Sequence, residues 1–361
     1  MKHIIFAIGS LYGGGAERVV SVWASALAER GYKVSVLVYA RCENEYPLSP
    51  LVEVCPIASS VDECNSLSIL KRLRRFRKKI KELRPDAIIS FLPEMQVYVA
   101  LAALGLRIPR VETVRINPWE TGILKTRFAR LWRWCFKSSD AVILQSEDPK
   151  AFFGEKVQKK AAVIPNPINP IYIDNPKTEY NAESHRVVAA GRLSEQKNYK
   201  MAIDAIKSVS ERHPDVSLEI YGEGGLKEEL EAYVKNSGLE SNVFLKGRTS
   251  ELYKAYRNAD VYVMTSDYEG MPNALAEAMA VGLPSVSTDC KTGPRDLIDD
   301  GENGYLVPCN DSAALAERIE RIFSMTSDLQ RSLGEKARKK ITDFCSEENS
   351  LKRLIGLIES L

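Results

Sequence analysis

The 361-residue sequence contains no D-x-D, no C-x-x-C and only three histidines, His3, His185 and His213. A common carboxylate pair for binding a divalent ion is therefore missing. The seven cysteines, Cys42, Cys55, Cys64, Cys135, Cys290, Cys309 and Cys345, are an odd set with no histidine at ligand spacing. That disfavours both structural zinc and a disulfide framework. Long apolar runs are absent too. Ile4 to Ile8 leads straight into glycines, too short for a signal-peptide core, and no later stretch reaches about 18 uncharged apolar residues. Neither internal repeats nor low-complexity tracts occur. These absences predict a soluble chain of the reducing cytoplasm.

The length predicts two domains at about 100–200 residues each. Charge is unevenly divided: residues 1–163 carry 26 Lys+Arg against 16 Asp+Glu, and residues 164–361 carry 24 against 32. One half is basic and the other acidic. Short apolar runs such as Ile4–Ile8, Val34–Tyr39, Ala87–Phe91, Ala141–Leu144 and Ala162–Ile164 alternate with helical patterns, the rhythm of parallel sheets covered on both faces. The rhythm breaks at Pro165-Asn166-Pro167-Ile168-Asn169-Pro170, because prolines suit neither a helix interior nor an inner strand. It resumes with Val187–Ala190, Leu218–Tyr221, Val243–Leu245, Val261–Met264 and Ser285–Ser287. The reading is two open α/β domains, 1–164 and 165–345, and an amphipathic terminal helix over 346–361 whose pattern names no packing partner.

Four loops carry candidate chemistry. Gly9 to Arg18 holds Gly13, Gly14 and Gly15 between a strand and a helix whose free N–H groups suit a phosphate. Arg18 stands where a dinucleotide fingerprint needs its third glycine, so a tight turn without a ligand is the alternative. Tyr221 to Gly225, with Glu223, is a weaker candidate of the same kind. Gly191-Arg192-Leu193 with Lys197 places a guanidinium and an ammonium on one loop, a pair suited to a diphosphate; a solvated basic turn is the alternative. Finally, Glu269-Gly270-Met271-Pro272-Asn273-Ala274 leads into a helix with Glu277 about one turn in, and both carboxylates can face a cleft at the sheet's carboxyl end. A solvated surface is the plainer reading of either glutamate alone.

Taken together, Glu269 and Glu277 as E-x7-E, the Gly191-Arg192-Leu193 turn with Lys197, Gly-Gly-Ala-Glu-Arg at 14–18 and the Pro165-Asn166-Pro167 hinge resemble the retaining nucleotide-sugar glycosyltransferases of the GT-B fold, family four (group 1). The resemblance implies two Rossmann-like domains facing across a cleft, with a donor in the second and an acceptor in the first. Glu277 would then accept from ribose hydroxyls, and Glu269 would touch the donor sugar. Arg192 and Lys197 would hold the diphosphate, with backbone N–H groups of Met271 to Ala274 and the Gly13–Gly15 loop. The base would lie near Glu223 and Arg248. Relatives carry a histidine after the fifth strand; here Arg115 stands in its place within Thr113-Val114-Arg115-Ile116-Asn117-Pro118, and a guanidinium cannot act as a base at neutral pH. That departure suits Arg115 to binding charge.

The 71–81 segment holds eight cations in eleven residues, with Leu70, Leu73, Phe76, Ile80 and Leu83 at helical spacing. A second basic segment, 123–137, sets Lys125, Arg127, Arg130, Arg133 and Lys137 beside Trp132 and Trp134. Cationic helices with interfacial tryptophans suit an anionic membrane, and the resemblance to enzymes that build bacterial surface glycans on lipid carriers implies such a face. The whole reading is a metal-independent enzyme moving a hexose or N-acetylhexosamine from a UDP-sugar to a lipid-diphosphate-linked glycan, peripheral on the inner face of the plasma membrane. The 113–118 loop weakly resembles those of enzymes adding N-acetylhexosamines. Rivals are a nucleotide-sugar epimerase of the same fold and an NAD-dependent Rossmann enzyme. A nucleic-acid binder is set aside because it leaves the second-domain loops unexplained.

Overall fold

A computed structural model describes all residues except Ile116, Glu120, Thr121, Arg127 and Ala182, and the side chain of Ile123. Two members of the sequence motifs, Ile116 of the 113–118 run and Arg127 of the second basic segment, thus lie outside the described residues. The chain forms two units, Met1–Pro167 with Glu347–Leu361, and Ile168–Ser346.

The first unit is built on seven parallel strands: β1 (His3–Ala7), β2 (Lys33–Val38), β3 (Glu53–Pro56), β4 (Ala87–Ser90), β5 (Arg110–Val114), β6 (Ala141–Leu144) and β7 (Ala161–Val163), in the order β3-β2-β1-β4-β5-β6-β7. Alternate residues of β1 feed opposite faces, with Ile4 and Phe6 in one core cluster and Ile5 and Ala7 in another. This is the period of two expected of a strand buried on both sides. Pro56 is tolerated because β3 is an edge strand, where a missing N–H costs no ladder bond.

The second unit has six strands: β8 (Arg186–Ala190), β9 (Ser217–Tyr221), β10 (Val243–Gly247), β11 (Val261–Met264), β12 (Ser285–Thr288) and β13 (Tyr305–Val307), in the order β10-β9-β8-β11-β12-β13. Val187 and Ala189 face one cluster, Val188 and Ala190 the other. In each sheet the strand order reverses beside the first strand, between β1 and β4 and between β8 and β11. Open α/β sheets bind ligands in the crevice at the strands' carboxyl ends at that reversal.

The boundary departs from the sequence reading. Pro165, Asn166 and Pro167 belong to the first unit because Asn166 Oδ1 accepts from Arg115 Nη1 at 2.7 Å and Gln145 Nε2 at 2.9 Å, and the Pro165 carbonyl accepts from Ser350 Oγ at 2.9 Å. The terminal helix, Glu347–Glu359, also packs on this unit. Leu351, Leu354 and Ile358 enter its core, and Trp23 Nε1 donates to Ser350 Oγ at 3.0 Å. A helix read as unassigned therefore completes the first core and fixes the start of the crossover.

All four tryptophans, Trp23, Trp119, Trp132 and Trp134, lie in the first unit, so their fluorescence reports its unfolding. Leu354→Ala should destabilise that unit by about 2–5 kcal/mol, the cost of truncating a fully buried leucine. Urea titration followed by tryptophan emission checks this; an unchanged midpoint would detach the terminal helix from the core.

Candidate active site

The loops leaving β8 and β11 meet at the strand reversal of the second sheet. Gly191 has φ of 152°, and a β-carbon there would meet Lys197 Cε at 2.9 Å and the Tyr199 hydroxyl at 3.0 Å. Glycine thus lets the lysine stem cross the turn. Lys197 Nζ lies 2.5 Å from Glu269 Oε1, which also accepts from Ser266 Oγ at 2.6 Å. Gln196 Nε2 donates to the Tyr268 carbonyl at 2.7 Å and reaches Glu269 Oε2 at 3.5 Å. The backbones are tied as well: Thr265 Oγ1 donates to the Lys197 carbonyl at 2.8 Å, and Asp267 N–H donates to the Gln196 carbonyl at 2.9 Å. Glu269 is only 7% exposed, a burial a carboxylate sustains only with such partners.

The neighbouring loop supports this cluster from below. Thr292 Oγ1 donates to the Glu269 carbonyl, and a β-carbon on Gly293, whose φ is 94°, would meet Pro272 Cδ at 2.6 Å and the Gly270 carbonyl at 2.9 Å. Gly270, Met271 and Pro272 are thereby held against the 292–293 turn. They lead into the Asn273–Val281 helix, whose first turn has no side-chain cap. Asn273 and Ala274 open the helix, and Glu277, one turn in, is buried. Burial first, then the Glu269 charge, pushes the Cys290 thiol up to about 12. At neutral pH it stays protonated, which removes the nearby thiol as a nucleophile.

The loops after β9 and β10 flank the first. Leu193 N–H donates to the Glu223 carbonyl and Gly222 N–H to the Gly247 carbonyl, each at 2.9 Å. Gly222 leaves no room for a side chain, because a β-carbon would strike the Gly191 carbonyl. Arg192, Glu223 and Arg248 are all exposed on these stitched loops. The structure thus gathers Arg192, Lys197, Glu223, Arg248, Glu269 and the 270–277 segment at the carboxyl ends of β8 to β11.

In the first unit, Gly13, Gly14 and Gly15 do form a turn into the Gly15–Glu29 helix. A β-carbon on Gly14 would collide with the Glu17 carboxylate, which folds back over the helix start. Glu17 bonds its own backbone N–H there, and burial raises its pKa. The slot the sequence suggests for a phosphate therefore holds the chain's own carboxylate. Arg115 is buried with its guanidinium 4.5 Å from the Trp23 ring and 5.2 Å from the Phe91 ring. Its Nη1 donates to Asn166, while Nε and Nη2 have no partner among the described residues. Burial lowers its pKa to about 9, so it remains a cation at neutral pH. Rather than an exposed charge, the sequence position of the family histidine presents a guanidinium packed between rings.

The basic segments are also corrected. Within the Ile69–Leu83 helix, Arg72 donates to the Cys64 and Asn65 carbonyls, Arg75 to Ile57 O and Glu63, and Arg77 to the Ala102 and Leu104 carbonyls. Those three arginines fasten the helix, and Lys71, Arg74, Lys78 and Lys81 form its exposed row. Leu70, read as part of the apolar stripe, is 67% exposed. Trp132, read as interfacial, is a core residue: it is 1% exposed and donates to Gln96 Oε1 at 2.7 Å. Its helix, Ala129–Ser138, turns Trp132, Cys135 and Phe136 inward.

Ser266, Gln196 and Thr292 escaped the sequence reading. Ser266 stands three residues before Glu269, a local hydrogen-bond spacing that signals a loop-held carboxylate; Thr292 and Gln196 carry no such signal.

Comparison with known proteins gives the family and the fold. The glycosyl transferases group 1 model matches residues 173–340, and the Glycosyltransferase Family 4 model matches residues 13–171. The chain is 30% identical over 350 residues, 95% of each protein, to the Campylobacter jejuni enzyme named GalNAc-alpha-(1->4)-GalNAc-alpha-(1->3)-diNAcBac-PP-undecaprenol alpha-1,4-N-acetyl-D-galactosaminyltransferase. It is 26% identical to the amylovoran biosynthesis glycosyltransferase AmsD of Erwinia amylovora, over 96% of each. In fold it matches the Anabaena Alr3699/HepE structure in complex with UDP and glucose, with a TM-score of 0.81 at 20% identity over the whole of both chains. The fold is that of a GT-B enzyme. The chain belongs to the family 4, group 1 glycosyltransferases.

The pairing of Lys197 with Glu269 makes their substitutions interdependent. Lys197→Met should cost more stability than Lys197→Met with Glu269→Gln, because the single change strands a buried carboxylate. A coupling of about 0.5–3 kcal/mol is expected in a double-mutant cycle by thermal or urea unfolding; additive effects would show the pair to be incidental.

Proposed function

We propose that this glycosyltransferase retains configuration, needs no metal, and moves a hexose or N-acetylhexosamine from a UDP-sugar to a lipid-diphosphate-linked glycan in bacterial surface polysaccharide synthesis. The observation that carries the reading is the Lys197–Glu269–Ser266 cluster at the strand reversal, beside exposed Arg192 and the uncapped helix that bears Glu277. The name of the Campylobacter relative, which specifies an undecaprenol diphosphate glycan, supports the acceptor class. Neighbours crystallised with UDP support the nucleotide.

Donor binding in this reading is an exchange of partners. Lys197 turns from Glu269 to a phosphate oxygen, and the released carboxylate accepts from a hydroxyl of the sugar. Arg192 grips the diphosphate bidentately, the first N–H groups of the Asn273–Val281 helix complete its cradle, and Glu277 accepts from the ribose. As the glycosidic bond stretches, charge accumulates on the leaving diphosphate, and fixed cations stabilise it most at that moment. The acceptor hydroxyl, as it bonds the sugar, passes its proton to the departing diphosphate, so Arg115, already a cation, is not asked to act as a base.

Calorimetry with UDP in excess EDTA checks the metal-free reading; binding lost on chelation would overturn it. Glu277→Gln should raise the Kd for UDP about tenfold, or about 1.4 kcal/mol. Glu269→Gln should leave UDP affinity equal or tighter, because Lys197 loses its internal competitor, yet lower turnover at least tenfold. Parallel losses of affinity in both variants would sink this division. Product anomers read by NMR test retention, and epimerised sugar formed without acceptor would favour the epimerase reading.

Among the described residues no helix is long and apolar enough to cross a membrane. In the proposed reading the enzyme docks on anionic lipid through the Ile69–Leu83 helix. Replacing Lys71, Arg74, Lys78 and Lys81 with Gln removes roughly 4 kcal/mol of surface attraction, at about 1 kcal/mol per cation, and leaves the fastening arginines intact. Sedimentation with phosphatidylglycerol vesicles should show binding lost in the variant and, for the parent, at 1 M salt, where the Debye length is about 3 Å. Equal binding by both at low salt would leave that row as a solvated face.

A further inference from the structure

When Lys197 turns to a phosphate, Glu269 loses the cation that balances it, and a carboxylate this buried stays ionised only with donors around it. Among the described residues the donors that remain are Ser266 and, at 3.5 Å, Gln196. A neighbouring side chain has the opposite imbalance. Tyr199 is 5% exposed, its ring belongs to a core cluster of the second unit, and its hydroxyl has no hydrogen-bond partner among the described residues. Burying a hydroxyl without a partner is destabilising. A phenylalanine would fill the same space without that cost.

The local backbone brings this hydroxyl to the site. Tyr199 opens the helix Tyr199–Ser210, two residues after Lys197. Asn198 between them has φ of 43°, a left-handed conformation that asparagine adopts more readily than most residues, and its Nδ2 donates to Asp267 Oδ1 at 3.0 Å and Asn310 Oδ1 at 2.7 Å. The lysine stem and the phenol then close on one point, because a β-carbon on Gly191 would meet Lys197 Cε at 2.9 Å and the Tyr199 hydroxyl at 3.0 Å. Glycine at 191 leaves room for both. Burial first, then the Glu269 charge, raises the Tyr199 pKa, so at neutral pH the phenol keeps its proton and can donate. Tyr262 on β11 also has a buried hydroxyl with no partner among the described residues, but Tyr199 is the one seated at the Gly191 turn.

We propose that Tyr199 is a positioning residue of the donor site: when the Lys197 ammonium moves to the diphosphate, the Tyr199 phenol donates to the Glu269 carboxylate in its place and holds it ionised and aimed at the sugar. A hydrogen bond donated to a carboxylate favours its charged form. The assignment rests on the partner exchange of the proposed function and adds to it the group that takes over from the lysine. The cost of the unpartnered phenol is recovered only in the complex, so Tyr199 strengthens donor binding without strengthening the fold.

Calorimetry with UDP on the full chain compares the parent, Tyr199→Phe, Glu269→Gln and the double variant, alongside thermal unfolding of each without ligand. Tyr199→Phe should raise the Kd for UDP about tenfold, the effect of one hydrogen bond to a charged group, while its unfolding midpoint equals the parent's or rises. Added to Glu269→Gln, the same change should leave UDP affinity unaltered, because no ionised carboxylate then needs the phenol. A tyrosine that served only packing would instead lower the midpoint and weaken UDP equally in both backgrounds. Parental UDP affinity in Tyr199→Phe overturns the assignment, and so does a loss that persists alongside Glu269→Gln. A midpoint well below the parent's also overturns it, since the hydroxyl would then be bonded before the donor arrives. Absence of UDP binding in the parent overturns the donor of the proposed function itself.

Discussion

The ion pair between Lys197 and Glu269 is the interaction on which the candidate site depends. It joins two loops far apart in sequence, one leaving β8 and the other β11, strands that are neighbours only because the sheet order reverses there. A carboxylate buried to this degree costs several kcal/mol unless it is paired and hydrogen-bonded. Lys197 and Ser266 meet that demand on one oxygen while Gln196 approaches the other. The arrangement keeps a cation and an anion ordered at the carboxyl edge without burying net charge. In the proposed mechanism the same two groups serve a ligand carrying both phosphate oxygens and hydroxyls, so binding exchanges partners instead of desolvating bare charges.

The first unit solves a related problem differently. Arg115 is buried without a carboxylate partner among the described residues; its guanidinium carbon lies 4.5 Å from the Trp23 ring and 5.2 Å from the Phe91 ring, whose π systems attract the cation, and one nitrogen is spent on Asn166. Asn166 is the middle residue of Pro165-Asn166-Pro167, and Pro165 is held in turn by Ser350 of the terminal helix. Strand end, crossover and C-terminus thus form one connected set. It includes Trp23 of the Gly15–Glu29 helix, whose N-terminus Glu17 covers.

What could be read in the sequence follows from which physical signals are local. The apolar runs Ile4–Ile8 and Val187–Ala190, the glycine turns at 13–15, 191 and 222, and the proline break at 165–170 all act within a few residues, and each was legible. The alternation of strand, loop and helix placed each of the loops bearing Arg192, Lys197, Glu269 and Glu277 after a strand, and the family resemblance implied that they meet at one site. The contacts that give these residues their state were not legible. Nothing local links Lys197 to Glu269 or Ser350 to Pro165, whereas the fold-back of Glu17 over Gly14, three residues away, is local and was passed over in favour of a phosphate slot. Trp132 shows a misread signal. Its basic neighbours suggested an interface, but its spacing with Cys135 and Phe136 is that of an inward helix face.

The same lesson governs the basic half of the chain, where counting charges overstates the surface available to an anionic partner. Along Ile69–Leu83 the arginines at 72, 75 and 77 donate to backbone carbonyls of neighbouring segments, whereas the lysines at 71, 78 and 81 remain in water. The division follows side-chain chemistry. A guanidinium offers several donors in a planar fork and is weakly hydrated, so it can satisfy carbonyls at a packed edge; an ammonium is compact and strongly hydrated, and is best left exposed. Arg74 is the exception, and it lies on the lysine row, three residues from Lys71 and four from Lys78. A helix that looks in sequence like a uniform block of positive charge is therefore two devices. Arginines on its two flanks, Arg72 and Arg75 on one and Arg77 on the other, fix its pose on the unit, and one row, mostly lysine, presents charge outward at the spacing of helical turns. Substituting the block as a whole would confound anchoring with electrostatics, so any partner of this face has to be sought through the exposed row alone.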